Sequence, residues 1–389
     1  MEKIKLGDIA SVITKGTTPT SIGFNFIEQG INFIKIESIT EDGSFINDKF
    51  AHISEECNSR LKRSQIKEND ILFSIAGAIG RVAVVNNEIL PANTNQALAI
   101  IRVDDRYDKE FLTFLLRSSF ITKQYNKKKQ GVAQINLSLK DISELEIPII
   151  DINKQLEIKE NLKNIIKIIN LRKKQLEDLN NIIKSQFVEM FESKDYNKAT
   201  IGKCAKFQGG YAFKSKDFVE NGVKLVQISN VNKDTLDWIE INRVPESFIE
   251  KYKEYSLVAN DVVMAMTRPI IKSLNEVKIA QVREDDLPCL LNQRVGRFII
   301  NDSVNKEYLT YCCKSDKFKN YVEKMSGNSL QPNISSKQVE NFEISLPPIE
   351  LQNKFAEFVK QIDKQKFEIE NSLKEMQELY ESLMEKYFG

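Results

Sequence analysis

The 389-residue chain is expected to be α/β: two mixed α+β globular units in tandem, joined by a long antiparallel two-helix coiled coil. Three observations predict this. The phrase KEFLTF at 109–114 returns as KEYLTY at 306–311, 197 positions later. The same offset lays Asn95 and Gln96 on Asn292 and Gln293, and Asn136 and Ser138 on Asn333 and Ser335, so a whole unit is duplicated. Each copy ends in an apolar pattern of period 3.5, sustained over about 30 residues without Gly or Pro, which fits a coiled coil.

Upstream, the offset drifts to 195 where KLGDIASV meets TIGKCAKF, and to 191 where ENDILFSI meets ANDVVMAM, so insertions lie between the matches. Short β-rich runs predict strands: FIKI, DILFSI, VAVV and ALAIIRV in the first unit, and KLVQI, DVVMAM and VGRFII in the second. KEFLTFLLRSSFITKQY and its counterpart predict one helix each. The first heptad run places Ile158, Leu162, Ile165, Ile169, Leu176, Leu179, Ile183 and Met190 on one face, interrupted by Arg172 and Gln186. The second places Phe355, Val359, Ile362, Ile369, Leu373, Met376, Tyr380, Leu383 and Tyr387 there, interrupted by Lys366. The alternative is two independent amphipathic helices, each lying on its own domain. The division is then 1–150, 151–193, 194–347 and 348–389. In the order domain, helix, domain, helix, the second helix meets the first along its length only by running back. A dumbbell with pseudo-twofold symmetry is expected, its helices ~60 Å long at 1.5 Å per residue.

Composition bounds the function. Hydrophobic residues make up 41% of the chain, and no apolar run is long enough to span a bilayer, since Arg81 interrupts the longest; a soluble cytoplasmic protein is expected. The five cysteines (Cys57, Cys204, Cys289, Cys312, Cys313) form no CxxC pair and read as reduced thiols. A single histidine, His52, leaves no duplicated His-based chemistry, and there is no phosphate-loop or zinc spacing. The formal net charge is +1, so any nucleic-acid surface must come from local clusters of the 56 Lys and Arg residues.

Two copies that share a frame but differ in detail suit a linear, directional target such as duplex DNA. They diverge between 20–68 and 215–259 and again between 73–91 and 264–288, and these stretches are expected to hold the different tasks. Candidate DNA-binding residues are Lys15, Arg60, Lys62, Arg63 and Arg81; Lys123, Lys127, Lys128 and Lys129 in the acid-free run that begins at Arg117; and Tyr211, Lys214, Lys216, Arg268 and Lys272 in the second unit. Arg and Lys can read guanine edges or hold phosphates, and the sequence leaves both open.

The chain resembles the specificity subunits of type I restriction-modification enzymes over essentially its whole length. The resemblance rests on KLGDIASV and TIGKCAKF, GGYAFKS, ENDILFSIAGAIGR, the paired Asn-Gln, and LQPNISSKQVENFEISLPPIELQNKF running into a heptad helix. It implies two target-recognition domains reading a bipartite DNA site, with no catalysis and no cofactor bound by this chain. It also implies two adenine-N6 methyltransferase subunits held by the coiled coil, which use S-adenosylmethionine, and a motor nuclease that uses ATP and Mg. One departure stands out. The second junction has Leu346, Pro347, Pro348, Ile349 and Gln352, whereas the first keeps Gln155 and a shifted Pro148, so a less rigid first junction is expected. Two other readings stand beside this one: a coiled-coil scaffold that binds proteins at both ends, and a self-contained DNA enzyme.

Overall fold

The computed structural model describes residues 2–127, 136–327 and 331–389. The chain divides into two compact units, Met1–Lys174 with Glu370–Gly389 and Gln175–Ile369. Both long helices, Ile152–Phe187 and Ile349–Phe388, are shared between them.

Unit 1 is built on a four-stranded antiparallel sheet in the order Ala10–Lys15, Leu98–Val103, Ile71–Ser74, Val82–Val84. Its inner strands are covered on both faces, which is why ILFS and LAIIRV read as nearly unbroken apolar runs. A second sheet, Ala51–Ile53, Ile31–Ile34, Ala92–Thr94, Gln65–Ile66, contains one parallel pairing, Ile31–Ile34 with Ala92–Thr94. The helix Lys109–Arg117 starts at Asp108, whose carboxylate accepts the Phe111 amide, and buries Phe111, Leu112 and Leu115 against the first sheet.

Unit 2 repeats the plan. Its main sheet runs Ala205–Gly209, Val295–Ile300, Val262–Ala265, Ile279–Gln281, and its second sheet Arg243–Val244, Val223–Val226, Cys289–Leu291, again with one parallel pair. The divergent stretches are expected to hold the different tasks. They contribute corresponding strands in both units, except that the second sheet of unit 1 has a fourth strand, Gln65–Ile66, where unit 2 has only the bridge between Ser256 and Leu290. One true addition is the hairpin Ile270–Ile271 with Glu276–Val277, where unit 1 has a short turn around Gly77 and Gly80.

Two expectations are corrected. The single helix predicted from 109 is two, Lys109–Arg117 and Ser119–Asn126, and its counterpart is Lys306–Lys314 and Asp316–Ser326. Ser118 and Ser315 break them: each adopts extended backbone, and its hydroxyl accepts the amide three residues on. The first junction is also no looser than the second. Gln155 is fully buried; its carbonyl accepts the Asp108 amide at 2.9 Å, and its amide donates to Arg106 O and Ile150 O at 3.0 and 2.7 Å. Gln352, equally buried, accepts from the Asn305 amide at 2.8 Å and donates to Pro347 O at 2.8 Å.

Within each unit the paired segments of the long helices run antiparallel. In unit 1 the start of the first packs with the end of the second, Ile158 and Leu162 sharing a core with Tyr380, Leu383 and Phe388, and Asn161 Nδ2 donating to Tyr387 Oη at 3.3 Å. In unit 2 the end of the first packs with the start of the second: Phe187 and Phe191 lie 5.5 and 5.4 Å from the Phe355 ring. Of the heptad positions, Ile158, Leu162, Ile165, Ile169, Ile183, Phe355, Val359 and Ile362 are buried. Leu176, Leu179, Ile369, Leu373, Met376, Tyr380 and Leu383 are half-buried. The first helix closes in a π turn, Val188–Glu192, that buries Phe191 and half-buries Met190.

Candidate nucleic-acid interface

Four loops meet along one edge of the main sheet in each unit, tied by equivalent backbone hydrogen bonds. In unit 1 the Thr17 amide donates to Thr94 O (3.1 Å), Ile75 to Ala97 O (2.9 Å) and Leu137 to Ile75 O (2.9 Å). In unit 2 Tyr211 donates to Leu291 O (3.1 Å), Met266 to Arg294 O (2.8 Å) and Ile334 to Met266 O (2.8 Å). Glycine permits the approach, because a Cβ on Gly16 would lie 2.0 Å from Thr94 O and one on Gly210 2.3 Å from Asn292 O. The repeated Asn-Gln pair has divided roles. Asn95 Oδ1 accepts the Ala97 amide and Asn292 Oδ1 accepts the Gln293 amide, which folds the turn and leaves Gln96 and Gln293 exposed.

The side chains on this edge differ sharply between units. Unit 1 presents Lys15, Thr18 bonded to Gln96, and a small-residue turn at Gly77 and Ala78. Unit 2 presents Tyr211, Arg268, Gln293 and Arg294, all exposed. The Tyr211 ring sits 4.5 Å from Tyr252, 5.0 Å from Phe213 and 5.5 Å from Tyr255, so its position is fixed by neighbouring rings. Positive charge accumulates around Arg268: burial, and then the Arg268 charge, push the Lys278 pKa down. Lys272 is exposed on the added hairpin.

The remaining candidates scatter. Lys214 and Lys216 are exposed at the short helical turn Ser215–Asp217, and Arg60, Lys62 and Arg63 lie exposed around the end of the helix Glu55–Arg60. Lys123 is exposed, 3.9 Å from Glu385, and Lys127 ends its helix; Lys128 and Lys129 lie outside the described residues. Two arginines in the predicted basic runs face inward. Half-buried Arg81 donates to Ile36 O and Ile39 O at 3.4 and 3.0 Å, tying two loops together rather than standing free for DNA. Arg117 donates to Val82 O, so the run that begins there is not one continuous phosphate-facing surface. Arg294 escaped the sequence reading, although it follows the repeated Asn-Gln pair where the other copy has Ala97. Among the described residues, no His, Cys, Asp and Glu cluster could hold a metal ion, and no helix is long and apolar enough to cross a membrane.

A duplicated α+β module carried on two long helices is the plan that comparison with known sequences assigns to a family. Residues 1–181 and 193–379 match the type I restriction modification DNA specificity domain, and the chain belongs to that family. It is 29% identical to the type I restriction enzyme MjaVIII specificity subunit of Methanocaldococcus jannaschii, over 97% of this chain and 91% of that one. It is 35% identical to the EcoAI specificity subunit of Escherichia coli over 36% of this chain and 23% of that one. Two solved structures share the fold. The type I restriction-modification system S subunit from M. genitalium aligns with a TM-score of 0.55 at 16% identity, covering 100% of this chain and 96% of that one. A chain from a study of complex assembly and conformational transition of the type I R-M system aligns with a TM-score of 0.61 at 17% identity, covering 100% and 97%.

Proposed function

We propose that this chain reads a bipartite, asymmetric duplex DNA site, one half-site per unit. It would recruit to that site two adenine-N6 methyltransferase subunits and, through the complex, a motor nuclease. The observation that carries this reading is the same four-loop edge appearing twice with different side chains: one frame, two recognition surfaces. In this reading the chain contributes recognition and no bond chemistry. S-adenosylmethionine, ATP and Mg are used by its partners. Exposed apolar side chains on the long helices, including Ile152, Leu156, Ile168, Leu171 and Phe367, favour a protein partner along them.

The test is a genome-wide map of N6-methyladenine with the gene intact and deleted. Loss of methylation at one two-part motif is expected. An unchanged map in a host that transcribes the partner genes would turn the reading toward a scaffold that binds proteins only.

A further inference from the structure

Six described non-glycine residues have left-handed backbone: Asn69, Asp234, Asn260, Asn275, Arg268 and Arg294. Asn and Asp tolerate this region because their short polar side chains bond locally, whereas a long side chain is costly there. The two arginines are therefore the exceptions, with φ of 48° and 73°, and they lie on adjoining loops of the same edge.

The other copy shows what the backbone alone would prefer. At the offset that matches ENDILFSI to ANDVVMAM, Arg268 falls on Gly77, which is also left-handed at φ 71°. Unit 1 fills the position with the residue that suits it, and unit 2 with one that does not. Folding gives no reason for the exchange: both arginines are exposed, and neither guanidinium has a hydrogen-bond or ion-pair partner among the described residues. Their main chains are nonetheless pinned, Arg268 N donating to Pro332 O at 2.8 Å and Arg294 O accepting from Met266 N at 2.8 Å. A free guanidinium on a fixed, strained root is arranged for a ligand whose acceptors lie at set positions.

We propose that Arg268 and Arg294 are the base-reading pair of unit 2, directed at the paired O6 and N7 acceptors of guanine in the major groove. Phosphates are held as well by flexible lysines, which this unit also has at Lys214, Lys216 and Lys272, so strain would add nothing to such contacts. The proposal rests on the DNA-reading function above.

Arg268→Gly and Arg294→Gly separate a reading role from a structural one, because glycine relaxes the backbone while removing the side chain. The purified full chain and each variant are compared by melting and by selection from randomised duplexes at several salt concentrations. Both variants should melt no lower than the parent and lose roughly ten-fold or more of the preference at one base pair of a single half-site. Lower melting would make the arginines structural, and uniform weakening with a shallower salt dependence would make them phosphate contacts; either overturns the assignment. A selective parent with unaltered variants sinks this inference alone, whereas a parent without sequence preference sinks the DNA-reading function too.

Discussion

Gln155 and Gln352 show how one side chain can fix a junction. Each is fully buried and ties the first turn of its long helix to the loop before the module's helix and to the strand exit. Truncation leaves buried backbone groups unpaired, at about 1–3 kcal/mol in all. Gln155→Ala and Gln352→Ala should therefore each lower the denaturation midpoint, and by similar amounts. A negligible loss for Gln155→Ala would restore the weaker first junction that the sequence suggested. The five cysteines are buried and unpaired. Burial pushes the Cys289 and Cys312 thiols up to about 12 and Cys313 well above its ordinary value. At pH 8 these three are almost wholly protonated, so alkylation of the folded chain should stay near zero and all five should react after denaturation.

At the scale of elements, each unit carries a tight turn closed by a backbone bridge, Ile39 with Phe45 and Val231 with Leu236. Its acid faces the cation that ends the helix Lys109–Arg117 or its counterpart Lys306–Lys314. Lys314 pairs directly with Asp234, and Arg117, its equivalent, acts through its charge on Asp42. Burial alone would raise both acids. For Asp42 the Thr40 and Ser44 hydrogen bonds and Arg117 outweigh it, and for Asp234 Lys314 does, with Lys366 and Lys233, so both pKa values fall below the ordinary 3.8. A depressed folded pKa means the ionised form stabilises the fold above about pH 4, and that this contribution is lost as pH falls through the folded value. Asp42→Asn with Asp234→Asn should flatten the acid limb of the stability profile below pH 4. The neutral-pH cost should stay near 1 kcal/mol, because Asp234 keeps 37% of its side chain exposed. A steepened limb would contradict the sign. In the long helices the cost of truncation should follow burial: Leu162→Ala, fully buried, loses about 2–5 kcal/mol and half-buried Leu176→Ala clearly less, as read by chemical denaturation.

Across the whole molecule, what was legible in the sequence was what repeats. A period of 3.5 and a duplicated phrase survive divergence because they are set by packing, so the long helices and the two units could be read directly. Of the second sheets only one strand each was legible, FIKI overlapping Ile31–Ile34 and KLVQI overlapping Val223–Val226, since their other short strands pair through backbone groups that carry no residue signature. Arg81 and Arg117 were misplaced for a related reason: the carbonyls that hold them lie 35 to 45 positions away. Tyr211 and Arg268 were legible as chemistry, but the strain that sets Arg268 and Arg294 apart is a backbone property. The net charge of +1 adds a constraint of its own, since DNA affinity must come from a few local cations and not from the protein's overall field. Those cations are unequally shared: unit 1 has Lys15 at its edge, whereas unit 2 has Arg268 and Arg294 there, Lys272 on the added hairpin, and Lys214 and Lys216 at the turn Ser215–Asp217. Each phosphate contact contributes about 0.9 to the slope of log affinity against log salt. Replacing the three unit 2 lysines by alanine should flatten that slope by up to about 3 and leave the ranking of duplex sequences intact, whereas Lys15→Ala should change it by no more than about 1. A reordered ranking in the triple variant would move those lysines from phosphates to bases, and an unchanged slope would place the DNA on another face of unit 2.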